Sequence, residues 1–216
     1  MKHIIITRMH YEDNDPRFDW RLAHYQACVL PRILKQTKKD FDIGIWCNPN
    51  HAERIKKLSN KIITFSVKGQ TSRYKVSGGR RYFEDFTPWK DVMNLEKYDV
   101  QTGLDSDDLI APNYIEKIEE IIENNSNGKS LHITFQPMIF DFRDLEVYQI
   151  GVNYNTHKGS MFFSIYQPDK QNYKFAYEYS HLELGKHFNK SIIIPKGFCW
   201  LTVHYANESS KGKHKK

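Results

Sequence analysis

The sequence predicts an α/β fold, an αβα sandwich with parallel strands in its first half and a more mixed sheet in its second. Three observations carry this reading. Short apolar runs alternate with helical periodicity through the first 123 residues or so; after about Lys129 the texture turns β-rich; and no internal repeat breaks the order. The chain has 216 residues, long enough for one α/β domain with a well-buried core, and we expect a single domain over 1–207 with a tail over 208–216.

The elements follow in order. His3 to Arg8 (HIIITR) is a buried-strand run, and Asp19 to Gln36 spaces Leu22, Tyr25, Cys28/Val29 and Ile33 at helical intervals, with Asp19 positioned to cap it. Asp42 to Cys47 (DIGIWC) reads as the second strand, His51 to Leu58 as a short helix, and Ile62 to Val67 as the third strand. Lys68 to Pro88 is a long polar stretch with Gly78-Gly79 and the cations Lys68, Arg73, Lys75, Arg80 and Arg81. Loops of that length in compact domains are usually functional or mobile. A helix from Trp89 to Leu95 precedes the fourth strand, Asp99 to Leu104. Pro112 to Glu123 sets Ile115, Ile118 and Ile121/Ile122 on one helix face, with Pro112 at its start. LHITFQ, MIFDF, EVYQIGV and GSMFFSIYQ then read as strands, followed by a helix over Ser180 to Phe188, a strand over Ser191 to Ile194, and GFCWLTVHYAN.

Composition excludes several classes. No apolar stretch approaches 18 residues and the N-terminus is too briefly apolar for a signal peptide, so the expected location is cytoplasmic with no membrane span. Cys28, Cys47 and Cys199 form no CxxC pair, and Cys47/His51 and Cys199/His204 do not match zinc spacings, so buried thiols are expected. The formal charge is +6, but the last nine residues (ESSKGKHKK) supply +3 of it. The body is only mildly basic, which argues against nucleic acid as a partner; the tail reads as a solvated end or a linker to further domains.

The feature that points to chemistry is the tetrad Asp105-Ser106-Asp107-Asp108, placed where the fourth strand ends. Like charges a few ångströms apart repel by roughly 1 kcal/mol in water and by more in a half-buried cleft. A divalent cation with hard oxygen ligands, Mg²⁺ or Mn²⁺, would relieve that repulsion. The plainer alternative is an Asp-rich turn capping the next helix, which accounts for one Asp rather than three. In open α/β sheets ligands bind beyond the carboxyl ends of the strands, which brings Thr7, Arg8, Trp46 and Asn48 to the same edge as the tetrad. A metal site, an aromatic and a basic loop (Arg73, Arg80, Arg81) together suit a nucleotide diphosphate.

Other templates fail. Leu109 and Ile110 replace the fifth-position ligand and sixth-position glycine of a calcium loop, Leu109 stands where a DxDx(T/V) phosphatase needs Thr or Val, and neither Glu-x-Lys, GxxxxGK[ST] nor GxGxxG occurs. Two alternatives stay open beside a nucleotide-sugar enzyme: a metal-dependent phosphodiesterase or nuclease using the same tetrad, and a non-catalytic nucleotide-binding module.

The residues resemble the GT-A-fold glycosyltransferases and, within them, the rhamnosyltransferase-like family. Four features carry the resemblance: Thr7-Arg8 ending the first strand, Gln36-Thr37 with Asp40-Phe41 before the second, LDSDD over 104–108, and WLTVHYAN over 200–207. It implies a GT-A-like sandwich with a nucleotide-binding N-terminal half and an acceptor half. It implies a DxD enzyme that moves rhamnose or a hexose such as glucose from a UDP-sugar to a glycan or glycoprotein. It also implies Mn²⁺ or Mg²⁺ held by Asp107 with Asp105 or Asp108 and with His204, the alternative being that one carboxylate holds the donor. Glu178, His181 and Asp141 are candidates for the acceptor base of an inverting reaction; each could equally be a solvated charge, and a retaining reaction needs no such base. Size and lysine-rich tail also resemble the first domain of multidomain glycosyltransferases of large algal viruses that decorate a capsid protein, which would place the enzyme in host cytoplasm. One departure stands out: the family often has Arg just before LDSDD, where this chain has Thr102-Gly103. Another is that Asn48 stands nearest to where many GT-A enzymes hold uracil with an Asp.

Overall fold

The computed structural model describes residues 1–9, 13–66, 74–77, 80–83, 92–148, 162–177, 179 and 183–203, with backbone alone at 74–77, 80–83, Tyr148 and Val203. Seven strands form the main sheet: β1 (His3–Met9), β2 (Phe41–Cys47), β3 (Ile62–Ser66), β6 (Val100–Asp105), β8 (Leu131–Phe135), β11 (Phe163–Tyr166) and β12 (Lys190–Ile194). Their order is β12-β8-β11-β6-β1-β2-β3, with β11 antiparallel to both neighbours and every other pair parallel. A second sheet, β10-β9-β13-β7, joins β7 (Leu109–Ile110), β9 (Met138–Asp141), β10 (Glu146–Tyr148) and β13 (Cys199–Val203). The predicted parallel first half and mixed second half are both present.

The apolar runs are explained by two-sided burial. Side chains alternate faces along a strand, so Ile5, Ile43 and Ile45 pack under the helices while Ile4, Ile6, Trp46 and Phe65 pack on the other face with Tyr98 and Phe175. Ile4, Ile5 and Ile6 are fully buried, and each such side chain stabilises the fold by roughly 1.5–3 kcal/mol. All three cysteines are free thiols: Cys47 and Cys199 are buried as expected, Cys28 only in part.

The helices depart from the sequence reading in instructive ways. The run expected as one helix from Asp19 is α1 (Arg17–His24), a π turn (Tyr25–Val29) and α2 (Leu30–Leu34). Pro31, in the first turn of α2, has no N–H to donate and its ring crowds the carbonyl four residues back; the wider π turn just before it absorbs that conflict. Asp19 is not the cap. Asp15 accepts from the Arg17 N–H at 2.9 Å, and Asp19 lies in the first turn, paired with Arg54. The next helix, α3 (Pro49–Lys56), begins two residues before the expected His51 because Asn48 caps it, accepting from the Asn50 N–H at 3.1 Å. Helix α4 (Tyr114–Asn125) starts two residues after Pro112, whose carbonyl accepts from the Thr37 N–H at 2.8 Å.

Gln36 explains why that junction is fixed. Its fully buried amide donates to the Ala111 carbonyl at 2.7 Å and accepts from the Ile115 N–H at 3.1 Å, tying the end of α2 to the start of α4. Within the expected loop over 68–88, β4 (Tyr74–Ser77) pairs antiparallel with β5 (Arg80–Phe83). Of the expected Trp89–Leu95 helix, 89–91 lie outside the described residues, Val92 and Met93 are helical, and a 3₁₀ turn, Leu95–Lys97, leads into β6. The expected Ser180–Phe188 helix is described only as a 3₁₀ turn over Leu184–His187.

Gly103 accounts for the departure before LDSDD. A Cβ there would stand 2.4 Å from the ring tip of Phe163 on β11, so the ring takes the space that a side chain would need. We expect Gly103→Ala to lower stability by about 1–3 kcal/mol in urea denaturation, through overpacking.

A buried polar chain crosses the helix-side face. His3 Nε2 is 2.7 Å from the Thr102 hydroxyl, which is 2.7 Å from that of Ser164. Burial, then the N-terminal charge, lowers the His3 pKa to about 3, and burial lowers that of His132 to about 4. Both rings are therefore neutral in the folded state at pH values where the unfolded chain, with pKa near 6.5, takes up protons. Stability should fall as pH drops from about 6.5 towards about 3. His3→Gln should flatten that acid limb in thermal melts recorded across the range.

Candidate active site

β1, β2 and β6 end at one edge, and their register lines up three of the residues that the sequence singles out. Arg8 lies opposite Trp46 on one side and Asp105 on the other. Neighbouring strands are about 4.8 Å apart, so the three backbones span about 10 Å, and the parity of the strands puts their side chains on the Ile4/Ile6 face. Trp46 is closed into that face: it is 1% exposed and packs against Phe175 and Tyr177, with ring centres 6.4 and 6.1 Å away. Thr7 points to the opposite face and is fully buried. Asn48 is occupied as the cap of α3. The edge thus presents Arg8 and Asp105, with Trp46 as the wall that stiffens it.

The tetrad is a tight turn between the two sheets, leaving β6 at Asp105 and entering β7 at Leu109. The Asp108 N–H donates to the Asp105 carbonyl at 3.2 Å. Strand β13 clamps the turn from the far end of the chain: the Thr202 N–H donates to Asp108 Oδ1 at 3.0 Å and the Thr202 hydroxyl to the Asp107 carbonyl at 2.5 Å.

Each carboxylate meets a different environment. Asp107 forms an ion pair with Arg21 of α1, whose side chain is only 7% exposed. Asp108 is buried, and burial first, then the charges of Asp107 and Asp105, push its carboxyl well above the ordinary range; the Thr202 N–H and Arg21 pull the other way. Asp108 thus holds its proton where an ordinary carboxyl has lost it. Asp105, half-buried, sits across the register from Arg8. The repulsion that the sequence implies is therefore met in part by the chain itself, through the buried arginine that pairs with Asp107 and the upward shift of the Asp108 carboxyl. Among the described residues no three Asp, Glu, His or Cys side chains converge as a metal cage. Asp105 and Asp107 keep partial exposure, whereas Asp108 is turned onto the β13 backbone.

The other candidates are placed as follows. Asp141, at the end of β9, is held by the backbone N–H and the guanidinium of Arg143, and its register partner is Val203. His204, next along the chain, lies outside the described residues, as do Glu178, His181 and Arg73. Arg80 and Arg81 are described by backbone only, in β5.

Arg21, His24 and Thr202 were missed as site residues. For Arg21 a signal existed: Phe18, Arg21, Leu22 and Tyr25 fall on one helical stripe, which places a charged residue where α1 is buried. His24, one turn on, sets Nε2 3.4 Å from the Asp107 carbonyl oxygen. Removing one member of a buried ion pair costs roughly 3–5 kcal/mol, and Arg21→Met should fall at the low end because Asp107 keeps 14% exposure. Asp108→Asn keeps an acceptor for Thr202 and removes the group that resists ionisation. Chemical denaturation should show it gaining on the wild type as pH rises above about 4.

Comparison with known proteins bears on this geometry. Residues 3–216 match the family described as "Putative rhamnosyl transferase". No curated protein matches the chain. Among solved structures, S. aureus TarS 1–349 in complex with UDP-GlcNAc is similar at a TM-score of 0.58 and 15% identity, over 96% of this chain and 60% of that one. The same fragment in complex with UDP gives 0.56 and 13%, over 94% and 61%. A TarS structure of which this chain covers 37% gives 0.54 and 12%. The chain thus shares the TarS fold while spanning about three fifths of the 1–349 fragment.

Proposed function

This chain belongs to the rhamnosyl transferase family, and from that premise we propose that it moves a sugar from a UDP-sugar to a hydroxyl of a glycan or glycoprotein acceptor. The observation that carries the proposal is the line of Trp46, Arg8 and Asp105 across three strand ends, with the acidic turn clamped beside it. The UDP and UDP-GlcNAc complexes of TarS, a protein of the same fold, support the choice of donor. No described helix is long and apolar enough to cross a membrane.

In transfer, the bond from the anomeric carbon to the diphosphate oxygen breaks and a bond to the acceptor oxygen forms, so negative charge grows on the departing diphosphate. Arg8 is our candidate for the cation that meets it, with Arg73, Arg80 and Arg81 as further candidates. Asp105 is placed to bind the donor or a cation. A divalent Mn²⁺ or Mg²⁺ would be held by Asp105 and Asp107 with His204, and would supply Lewis-acid stabilisation of the diphosphate charge. The two partly exposed carboxylates fit that role; Asp108, buried and tied to the Thr202 N–H, fits it less well. Asp107 then serves both Arg21 and the ion. Glu178, His181 and Asp141 remain our candidates for taking the acceptor proton, and rhamnose and glucose our candidates for the sugar.

A thermal-shift panel of UDP, GDP and CDP with and without Mn²⁺ tests the donor. UDP with Mn²⁺ should stabilise the protein most, by about 2.7 kcal/mol at a hundred times Kd. Asp107→Asn, which keeps an acceptor for Arg21, should lose transfer and donor hydrolysis with its circular dichroism intact. Wild-type turnover in that variant would sink the assignment.

A further inference from the structure

One cluster beside the tetrad is not used by the donor chemistry. Trp20 on α1 lies nearly parallel to His24, at 11° with ring centres 5.1 Å apart. His24 in turn meets the edge of Phe142, just past β9, at 5.3 Å, and Phe142 meets Phe140 edge-on at 4.9 Å. The rings thus bridge α1 to the second sheet. They do so beside Asp107: His24 Nε2 reaches its carbonyl, and Arg21, adjacent to Trp20 in sequence, pairs with its carboxylate. The outer member, Trp20, stays 39% exposed, with the Arg21 guanidinium 5.6 Å from its ring centre.

From this placement we infer that Trp20, backed by His24 and Phe142, is the platform on which a pyranose ring of the acceptor stacks; the inference rests on the glycosyl-transfer reading for the word acceptor. The chemistry fits a sugar better than a nucleotide or an anion. A pyranose presents one face of C–H groups to an aromatic surface and its hydroxyls to the rim. An indole held by a neighbouring ring offers that surface with little conformational freedom left to lose. The charge set by the outer ring is the Arg21 guanidinium, 5.6 Å from its centre, and that group is paired with Asp107 rather than offered to a ligand. The donor edge lies elsewhere, on the Arg8–Asp105 side of the turn, and its own aromatic, Trp46, is closed into the core. The two sugars would therefore approach the acidic turn from two sides, the donor from the strand ends and the acceptor from α1 and the second sheet.

The test uses the full chain and simple probes. The methyl pyranosides of glucose, galactose, xylose and rhamnose are titrated to about 50 mM, a range that captures millimolar Kd values. The indole N–H of Trp20, assigned through Trp20→Phe, is followed by NMR, and Kd is obtained in parallel from ligand-observed spectra. At least one glycoside should shift the Trp20 signal. Trp20→Ala should weaken its binding about tenfold, the loss of one aromatic contact, while Trp20→Phe keeps most of it. If no glycoside moves the indole, or if Trp20→Ala, still folded by circular dichroism, binds as well as wild type, the platform is overturned. UDP binding measured on the same samples separates the two readings. Glycosides seated at Trp20 without any UDP binding would leave the platform standing as a sugar site and remove the donor assignment instead.

Discussion

Three carboxylates in four residues must be turned between two sheets, and the disposal of their charge organises much of what surrounds them. Arg21 answers Asp107, burial and the neighbouring charges push the Asp108 carboxyl above its ordinary range, and Asp105 lies at the strand edge opposite Arg8. Each answer fixes a different element. The Arg21 pair sets α1 against the turn, the Thr202 bonds seat β13 on it, and the register sets β6 against β1. The turn is therefore the meeting point of the N-terminal helix, the central strand and the last described strand. An ion or a diphosphate arriving there meets a site whose charge is already partly balanced.

The same edge shows how packing and chemistry divide the labour. Trp46 and Phe163 occupy positions next to the site but spend their surfaces inward, one against Phe175 and Tyr177 and the other over Gly103. Rigid apolar walls of this kind hold polar groups such as Arg8 in a narrow range of positions, which is what a site made from strand ends needs. Gln36 does comparable work in the helical layer, where one buried amide replaces the missing partners at the end of α2 and the start of α4.

What could be read from the sequence was mostly what depends on periodicity. The Ile run of β1, the isoleucine stripe of α4 and the apolar core of β8 follow from burial on known faces, and each appears within a residue or two of its expected place. What could not be read depends on partners distant in the chain. The break at Pro31 is absorbed by a π turn because tertiary packing keeps α1 and α2 on the sheet. Strand β7 is two residues long and exists only because β13 pairs with it. The acidic tetrad could be found as a motif, but its charges could not be assigned. Arg21 lies 86 residues away from Asp107, as their numbers show, and only folding brings the two together. Trp46 shows the converse, since an aromatic at a strand end was expected to face a ligand and is instead a core residue.

The strand order also has a consequence for how the chain comes to exist. β1, β2 and β3 are neighbours in sequence and can pair as soon as residue 66 has left the ribosome, but the other side of β1 belongs to β6, and β6 in turn waits for β11 at residues 163–166. During that interval the strand that carries Ile4-Ile5-Ile6 is an open sheet edge, the kind of surface that invites pairing with another nascent copy. Placing the first strand inside the sheet, beside the central β6, secures the finished site, and it leaves the half-made protein in need of shelter until its middle third arrives.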